Sequence, residues 1–302
     1  MWRIAAASPL IILLFLTVIY PTGCTSTPEP LSPGTNGMVV GTFNVHYITP
    51  RDTSMVWKER RDAVVDAVRA GDPDIIGFQE METFTGGHVS TSNRQLDWLR
   101  SHLPGLTFAA VGDPYRYPWT QPIAFRSERF TLVEKGFFFF SPTPDLIYSA
   151  PWFGRYPSFC SWIRLRDTHT GTIFYVYNVH VDNENVRDRR KSVELVATRM
   201  SARKHPDEPV IVLGDFNSPW FFKPVRTLRK AGLTVENSTG STYHFDRGLD
   251  IIPAIDHVLL SASFRHGATR VLRQKFDGVW PSDHYPVFVG VKYAANSSRD
   301  DA

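Results

Sequence analysis

Apolar positions along this chain gather into short runs that break off in polar residues, and the same break recurs from end to end. Met38-Val-Val-Gly-Thr-Phe-Asn44 reads as a strand with a polar tip. After it, Val56, Val64, Val65 and Val68 recur at helical spacing, which predicts a helix from about Met55 to Ala70 capped by Thr53 or Ser54. Gly71-Asp72-Pro73 stops that helix, and Asp74-Ile-Ile-Gly-Phe-Gln-Glu80 is a second strand with a polar tip. Strand, helix and strand in this order predict a parallel pair joined by a right-handed crossover.

A shorter helix is expected at about Asn93 to Leu103, then strands near Thr107–Val111, Pro122–Phe125 and Phe130–Phe140. Phe159–Arg166 and Thr172–His180 read as an antiparallel pair turned by Asp167-Thr-His-Thr-Gly171, and a long helix covers Asn185 to Lys204. Pro209-Val-Ile-Val-Leu-Gly-Asp-Phe-Asn217 is then a short, fully buried strand. Side chains two apart on a strand point the same way, so Asp215 and Asn217 are expected to face one site, with Gly214 leaving room for a ligand. Taken alone, Asp-Phe-Asn is read more plainly as an Asx-turn leaving a strand. Trp220 to Ala231 is expected to be helical, and strands near Ala254–Leu260, Thr269–Leu272 and Val287–Val291 close a single domain over residues 38–294, followed by a polar tail. Two loops, Asp113–Gln121 and Ser141–Arg155, carry Tyr115, Tyr117, Trp119, Trp152 and Phe153, which either anchor the loops or wall a substrate site.

Composition adds little to this picture and excludes little. Hydrophobic residues make up 42% and charged ones 21%, an ordinary globular balance, and the formal net charge of +3 is too small to argue for or against nucleic acid. The first residues stand apart. Arg3 precedes an apolar run from Pro9 to Tyr20 that is short for a membrane span, and Thr22-Gly23-Cys24 follows. Small residues before a lone Cys resemble a bacterial lipoprotein signal, with cleavage before Cys24 and lipid on its sulfur, although Pro21 departs from the usual aliphatic position. Residues 1–23 are thus expected to be a signal and 24–37 a Pro-rich tether, giving an exported, membrane-anchored domain, with a plain secretory signal or uncleaved anchor as the alternative. Cys160 is the only cysteine left in the body and is expected to be a buried small hydrophobe.

The chemistry is in the strand tips. Asn44, Glu80, His180, Asp215 with Asn217, Asp256 and Asp283-His284 all end or follow apolar runs, which points to one shared site at the edge of a β core. Carboxylate and amide oxygens without a Cys/His cage suit a hard cation such as Mg²⁺ or Mn²⁺, and such a cation beside histidines suits phosphoryl chemistry. No Walker sequence or Gly-rich nucleotide fingerprint is present.

In order, T-F-N44, Q-E80, N-V-H180, G-D-F-N217, I-D256-H-V-L and S-D-H284-Y-P-V resemble the endonuclease/exonuclease/phosphatase superfamily, which includes DNase I-like nucleases and exonuclease III-like repair enzymes. The likeness runs from about Val39 to Val291 and is nearest to an exported bacterial branch, whose H-L-D-H reads here His180-Val-Asp182-Asn183, with Arg189 later. It implies a four-layer α/β sandwich, two mixed β-sheets packed face to face with helices outside. It also implies Glu80, Asn44 and Asp283 as metal ligands and Asp215 as the group that orients or deprotonates water. Asn217 would position Asp215, His284 would bind phosphate or move a proton with Asp256 fixing its tautomer, and His180 would donate to a phosphate oxygen. Asp182 and Arg189 are further candidates for substrate contact. Asn183 in place of a second His, and Ser158 where relatives often carry Arg, bear on substrate and rate more than on reaction type. The activity expected is hydrolysis of a phosphodiester, nuclease-like, with a lipid phosphodiesterase or phosphomonoesterase of the same fold, or an inactive surface-anchored binding protein, as alternatives. No protein partner is expected.

Overall fold

Two six-stranded sheets lie face to face with helices on their outer sides. The computed structural model describes residues 31, 37–48, 56–81, 92–236 and 238–294. The expected signal segment, Cys24, nearly all of the tether, the helix caps Thr53 and Ser54, and the polar tail lie outside the described residues. Leu31, within the expected tether, is half buried against the helical layer of the first sheet.

The chain runs β1 (Gly37–Asn44), α1 (Trp57–Gly71), β2 (Ile75–Gln79), α2 (Arg94–His102), β3 (Leu106–Ala109), β4 (Ile123–Arg126), β5 (Phe130–Phe139) and β6 (Phe159–Asp167). It continues through β7 (Ile173–His180), α3 (Val186–Ser201), β8 (Val210–Asp215), α4 (Lys223–Lys230), β9 (Thr234–Val235), β10 (Asp256–Leu260), β11 (Phe264–Val271) and β12 (Val287–Tyr293). One sheet has the order β11-β12-β1-β2-β4-β3 and the other β5-β6-β7-β8-β10-β9. Each sheet holds one parallel pair, β1 with β2 and β7 with β8, and α1 and α3 are their crossovers; the other pairings are antiparallel. The four-layer α/β sandwich expected from the resemblance is what the chain forms.

Several boundaries differ from the sequence reading for local reasons. Pro224 starts α4 only at Lys223, so Trp220 to Phe222 form the turn ahead of it. β11 begins five residues before its expected start, because a register shift between His266 and Thr269 breaks its alternation. β9 has two residues and leaves no pattern to read.

Alternation explains how the layers become a site. On β1, Met38 and Val40 face the other sheet while Val39 and Phe43 face the helices. On β8, Ile211 and Leu213 face inward and Val210 and Val212 pack on α3 and α4. Both faces are covered, so these strands read as continuous apolar runs. The inward positions then turn polar at one end of every central strand. Met38 and Val40 lead to Thr42 and Asn44, Ile75 to Gln79, Phe174 and Val176 to Asn178 and His180, Ile211 and Leu213 to Asp215, and Leu260 and Val258 to Asp256.

The first polar step is a buried seam, not part of the open site. Gln79 Nε2 donates to Asn178 Oδ1 at 2.6 Å, Asn178 Nδ2 donates to the Phe78 carbonyl at 2.8 Å, and Ser161 Oγ donates to the Gln121 carbonyl at 2.6 Å. Such a satisfied network fixes the relative position of the two sheets, because a slip would strand buried polar groups. Gly214 has a different task from the expected one. Its φ is 141°, and a Cβ there would strike the Val179 carbonyl of the paired strand, so it serves the strand contact rather than a ligand.

Candidate active site

The second polar step opens at the mouth between the sheets. Asn44, from the first sheet, and Asp215, from the second, meet across the gap, with Asn44 Nδ2 donating to Asp215 Oδ2 at 3.1 Å. The same amide nitrogen donates to Glu80 Oε1 at 3.1 Å. Asn44 Oδ1 accepts from the His46 N–H at 3.0 Å, so this amide presents its nitrogen, not the expected oxygen, to the carboxylates. Glu80 follows β2 in a left-handed conformation, φ 57°, which turns its side chain out of the strand's alternation and toward the cluster.

His180 closes one side, its Nε2 3.6 Å from Glu80 Oε1 and 3.7 Å from Asp215 Oδ2. His284 closes the other, with Nε2 3.8 Å from Asp215 Oδ2 and Nδ1 donating to Asp256 Oδ2 at 2.9 Å. Ser282 pins the loop that delivers His284, since its Oγ donates to the Asn44 carbonyl at 2.7 Å. Behind this row, Asp283 Oδ2 lies 3.3 Å from His46 Nδ1, and Glu80 Oε2 lies 3.8 Å from the same nitrogen. Asn44, Glu80, His180, Asp215, Asp256, Asp283 and His284 thus come from six separate stretches of chain to one mouth.

The remaining sequence candidates stand differently. The Asn217 N–H donates to Asp215 Oδ1 at 2.8 Å, an Asx-turn, while its own Nδ2 donates to the Val181 carbonyl at 2.9 Å. With φ 44°, Asn217 has left the strand, so it does not share a face with Asp215; it holds Asp215 from behind and ties two loops together. Asp182 Oδ1 accepts from the N–H groups of Glu184 and Asn185, forming the turn into α3. Arg189 Nη1 donates to the carbonyls of Asp182 and Asn183 at 2.9 and 2.8 Å. Both side chains brace the loop after His180.

The structure adds His46, which lies two residues beyond the strand tip and so outside the alternation that marks the other site residues. A left-handed φ of 55° swings it back, and the Gln95 side chain holds its carbonyl at 2.7 Å. Arg60, fully buried on α1, donates to the Pro281 carbonyl at 3.0 Å and also to the carbonyls of Val45 and His46, so one guanidinium braces both loops that frame the site. Tyr243 is a second addition, its ring 4.9 Å from that of His284 and 4.4 Å from that of Phe245.

Crowded carboxylates set the electrostatics. Burial, and then the charge of Asp256, push the Asp215 carboxyl up to about 6, against the pull of His284, His180 and the Asn217 N–H. Burial opposes a charge on His284, but Asp256 and Asp215 hold it well above the ordinary imidazole range. His46 is likewise raised to about 9, against burial, by its hydrogen bond to Asp283 and the charges of Asp283 and Glu80.

Donor atoms of Asp215, Asp256 and His284 lie within 4.8 Å of one another. The His284 ring is already committed to Asp256, which makes the oxygens the better donors. Asp256 Oδ1 is buried with no hydrogen-bond partner. An orphaned carboxylate oxygen beside a second buried carboxylate, with Glu80 near, is a donor set that a hard divalent cation fits.

Of the aromatic loop residues, Tyr117, Trp119 and Trp152 pack on the core, whereas Tyr115 and Phe153 are exposed. Cys160 is fully buried, and burial pushes its thiol up.

Solved structures share this architecture. An endonuclease/exonuclease/phosphatase family protein from Bacteroides thetaiotaomicron is 26% identical with a TM-score of 0.74, the match covering 86% of this chain and 98% of that one. A mannosyl-6-phosphatase from Bacteroides thetaiotaomicron is 27% identical with a TM-score of 0.74, covering 85% of this chain and 100% of that one. An uncharacterized protein, L388, of Acanthamoeba polyphaga mimivirus is 26% identical over 177 residues, 54% of this chain and 59% of its own length. Residues 41–284 match the Endonuclease/Exonuclease/phosphatase family, from just inside β1 to the histidine that faces Asp215, and the chain belongs to that family.

Proposed function

We propose that the protein hydrolyses a phosphodiester with a bound divalent cation, Mg²⁺ or Mn²⁺, by direct attack of water. The observation that carries this reading is Asp215, a fully buried carboxylate with His180, His284 and Asn44 around it and a pKa raised toward neutrality. Asp215 takes the proton of the attacking water, and the Asn217 N–H holds the carboxylate still as it does so. His284, kept cationic by Asp256, holds a phosphoryl oxygen, and His180 donates to another. Glu80 and Asp215, with the unpartnered Asp256 Oδ1 and Asp283 as further oxygen donors, would hold the cation, which when bound offsets charge on the phosphoryl oxygens. Asn44 keeps Glu80 and Asp215 in register across the two sheets. The domain is further proposed to be exported and lipid-anchored, on the strength of the apolar run before Cys24.

A second reading, hydrolysis of a sugar phosphomonoester, draws on the likeness to a mannosyl-6-phosphatase over 85% of this chain. Bis-p-nitrophenyl phosphate, plasmid DNA, sphingomyelin and mannose 6-phosphate are compared under one set of metal conditions. Cleavage of the diesters with Mg²⁺ or Mn²⁺, abolished by EDTA, is the expected result. Chelator-insensitive turnover removes the cation from the proposal, and turnover of mannose 6-phosphate alone replaces the diester by the monoester.

A further inference from the structure

The turn ahead of α4 carries a feature the catalytic reading leaves unused. Trp220, Phe221 and Phe222 are consecutive and 46%, 43% and 53% exposed. Single exposed apolar residues are ordinary, but three large aromatics in one turn form a contiguous patch. Their rings stand edge to face, at 85° and 89°, which makes a projecting knuckle and leaves no flat platform.

Topology puts this knuckle beside the catalytic mouth. β7 and β8 are parallel neighbours, so α3 and α4, which follow them, both begin at the end where His180 and Asp215 lie. Asn217 ties the two connecting loops together through Val181. The start of α3 adds Val186, also exposed, and the loop before β6 adds Phe153, whose N–H is held by Asp188 of α3. Around these apolar groups the charge is mostly basic. α4 exposes Lys223, Arg226, Arg229 and Lys230 and no acid, and the start of α3 exposes Arg187; of the acids close by, Glu194 pairs with Lys223 and Glu184 with Arg155.

We infer that this face docks on an anionic phospholipid bilayer, with Trp220 to Phe222 entering the interfacial region and α4 lying against the headgroups. Aromatic side chains flanked by Lys and Arg are the chemistry of a membrane–water interface, where rings sit at headgroup depth and basic groups meet anionic lipid. Nucleic acid fits less well. Base stacking needs open ring faces, and Arg229 lies 5.5 Å from the Trp220 ring centre while Arg187 and Lys191 lie 5.7 and 5.4 Å from that of Phe153. A second copy of the chain fits less well too, since a symmetric contact would set one basic face against another.

The test uses the full chain and vesicles of phosphatidylcholine with and without phosphatidylglycerol. Trp220→Ala, Phe221→Ala and Phe222→Ala together are expected to lower vesicle partitioning about tenfold or more while turnover of a soluble ester is kept. Arg226→Glu with Lys230→Glu is expected to remove only the gain from phosphatidylglycerol. Because residues 9–20 are themselves apolar, Trp220 is also followed directly: brominated lipid quenches wild-type emission, and Trp220→Phe loses that quenched fraction. Unchanged partitioning together with unchanged quenching overturns the inference. So does a triple variant that loses single-stranded DNA binding but not vesicle binding, or one that turns a dimer into a monomer in sedimentation velocity without changing partitioning.

Discussion

Two buried aspartates end strands of the same sheet and have opposite fates. Asp215 closes β8 at the mouth, and Asp167 closes β6 at the far end of the sandwich. Each is 0–1% exposed. Around Asp167 every partner offers a proton or a positive charge. Arg129 Nη2 donates at 3.0 Å, Tyr293 Oη at 2.8 Å and the His169 N–H at 2.9 Å. Burial would raise its pKa, but these donors outweigh burial and hold it below the usual carboxylate range. Around Asp215 burial meets fewer donors, the charge of Asp256 adds to it, and the pKa goes up instead. The same residue type, equally hidden from solvent, is a clamp where donors outweigh burial and a poised reactive group where burial and a like charge outweigh the donors.

The largest expected effect tests the crowded end. Asp215→Ala is expected to lower kcat on bis-p-nitrophenyl phosphate by about 10³-fold or more, since a positioned base contributes about 10²–10⁴. Near-wild-type turnover would make Asp215 another clamp and dissolve the contrast. At the other end, Asp167→Asn takes from buried Arg129 its charged partner and one of two acceptor oxygens, leaving a longer ion contact to Asp74, 3.6 Å, beside the Gly37 carbonyl. Breaking a buried pair costs about 3–5 kcal/mol, and because Asp74 stays, the lower value is expected in urea unfolding, with kcat unchanged at permissive temperature.

The acid limb of stability gives a sign to the same difference. A carboxyl whose folded pKa is depressed contributes stability that is full above its unfolded pKa, about 3.9, and is lost as pH falls through the folded value. The gap in unfolding free energy between wild type and Asp167→Asn is therefore expected to narrow as pH drops below about 4. A gap that stays constant down to low pH would mean that packing, not the Arg129 pair, carries the loss.

What the sequence made legible follows from the range of the forces involved. Polar residues at Asn44, His180, Asp215 and Asp256 could be read because alternation along a strand is local, and each interrupts an apolar inward face. Glu80 was legible as a polar tip but not the left-handed turn that aims it, and His46 reaches its place only through such a turn, which no side-chain period records. Asp182 shows the reverse limit: its Asx-turn to Glu184 and Asn185 leaves the same residue pattern as a ligand would, so sequence alone does not separate the two roles. The Arg129–Asp167 clamp joins residues 38 apart in sequence, and nothing near either one marks the other.

The smallest expected effect is the sharpest test of the comparison. Asp215→Asn keeps the shape of the side chain and its bond from the Asn217 N–H, and removes the charge that Asp256 opposes. One contact is disturbed, since the new amide nitrogen would face Asn44 Nδ2 unless one of the two amides turns over. A neutral hydrogen bond is worth about 0.5–1.5 kcal/mol net, and relief of like-charge crowding acts in the opposite direction. Metal-free unfolding free energy is therefore expected to stay within about 1 kcal/mol of wild type while turnover collapses. A loss as large as that of Asp167→Asn would mean that Asp215 is held by its neighbours as firmly as Asp167 is. The crowding at the mouth would then be structural, and the raised pKa would no longer single out the reactive end.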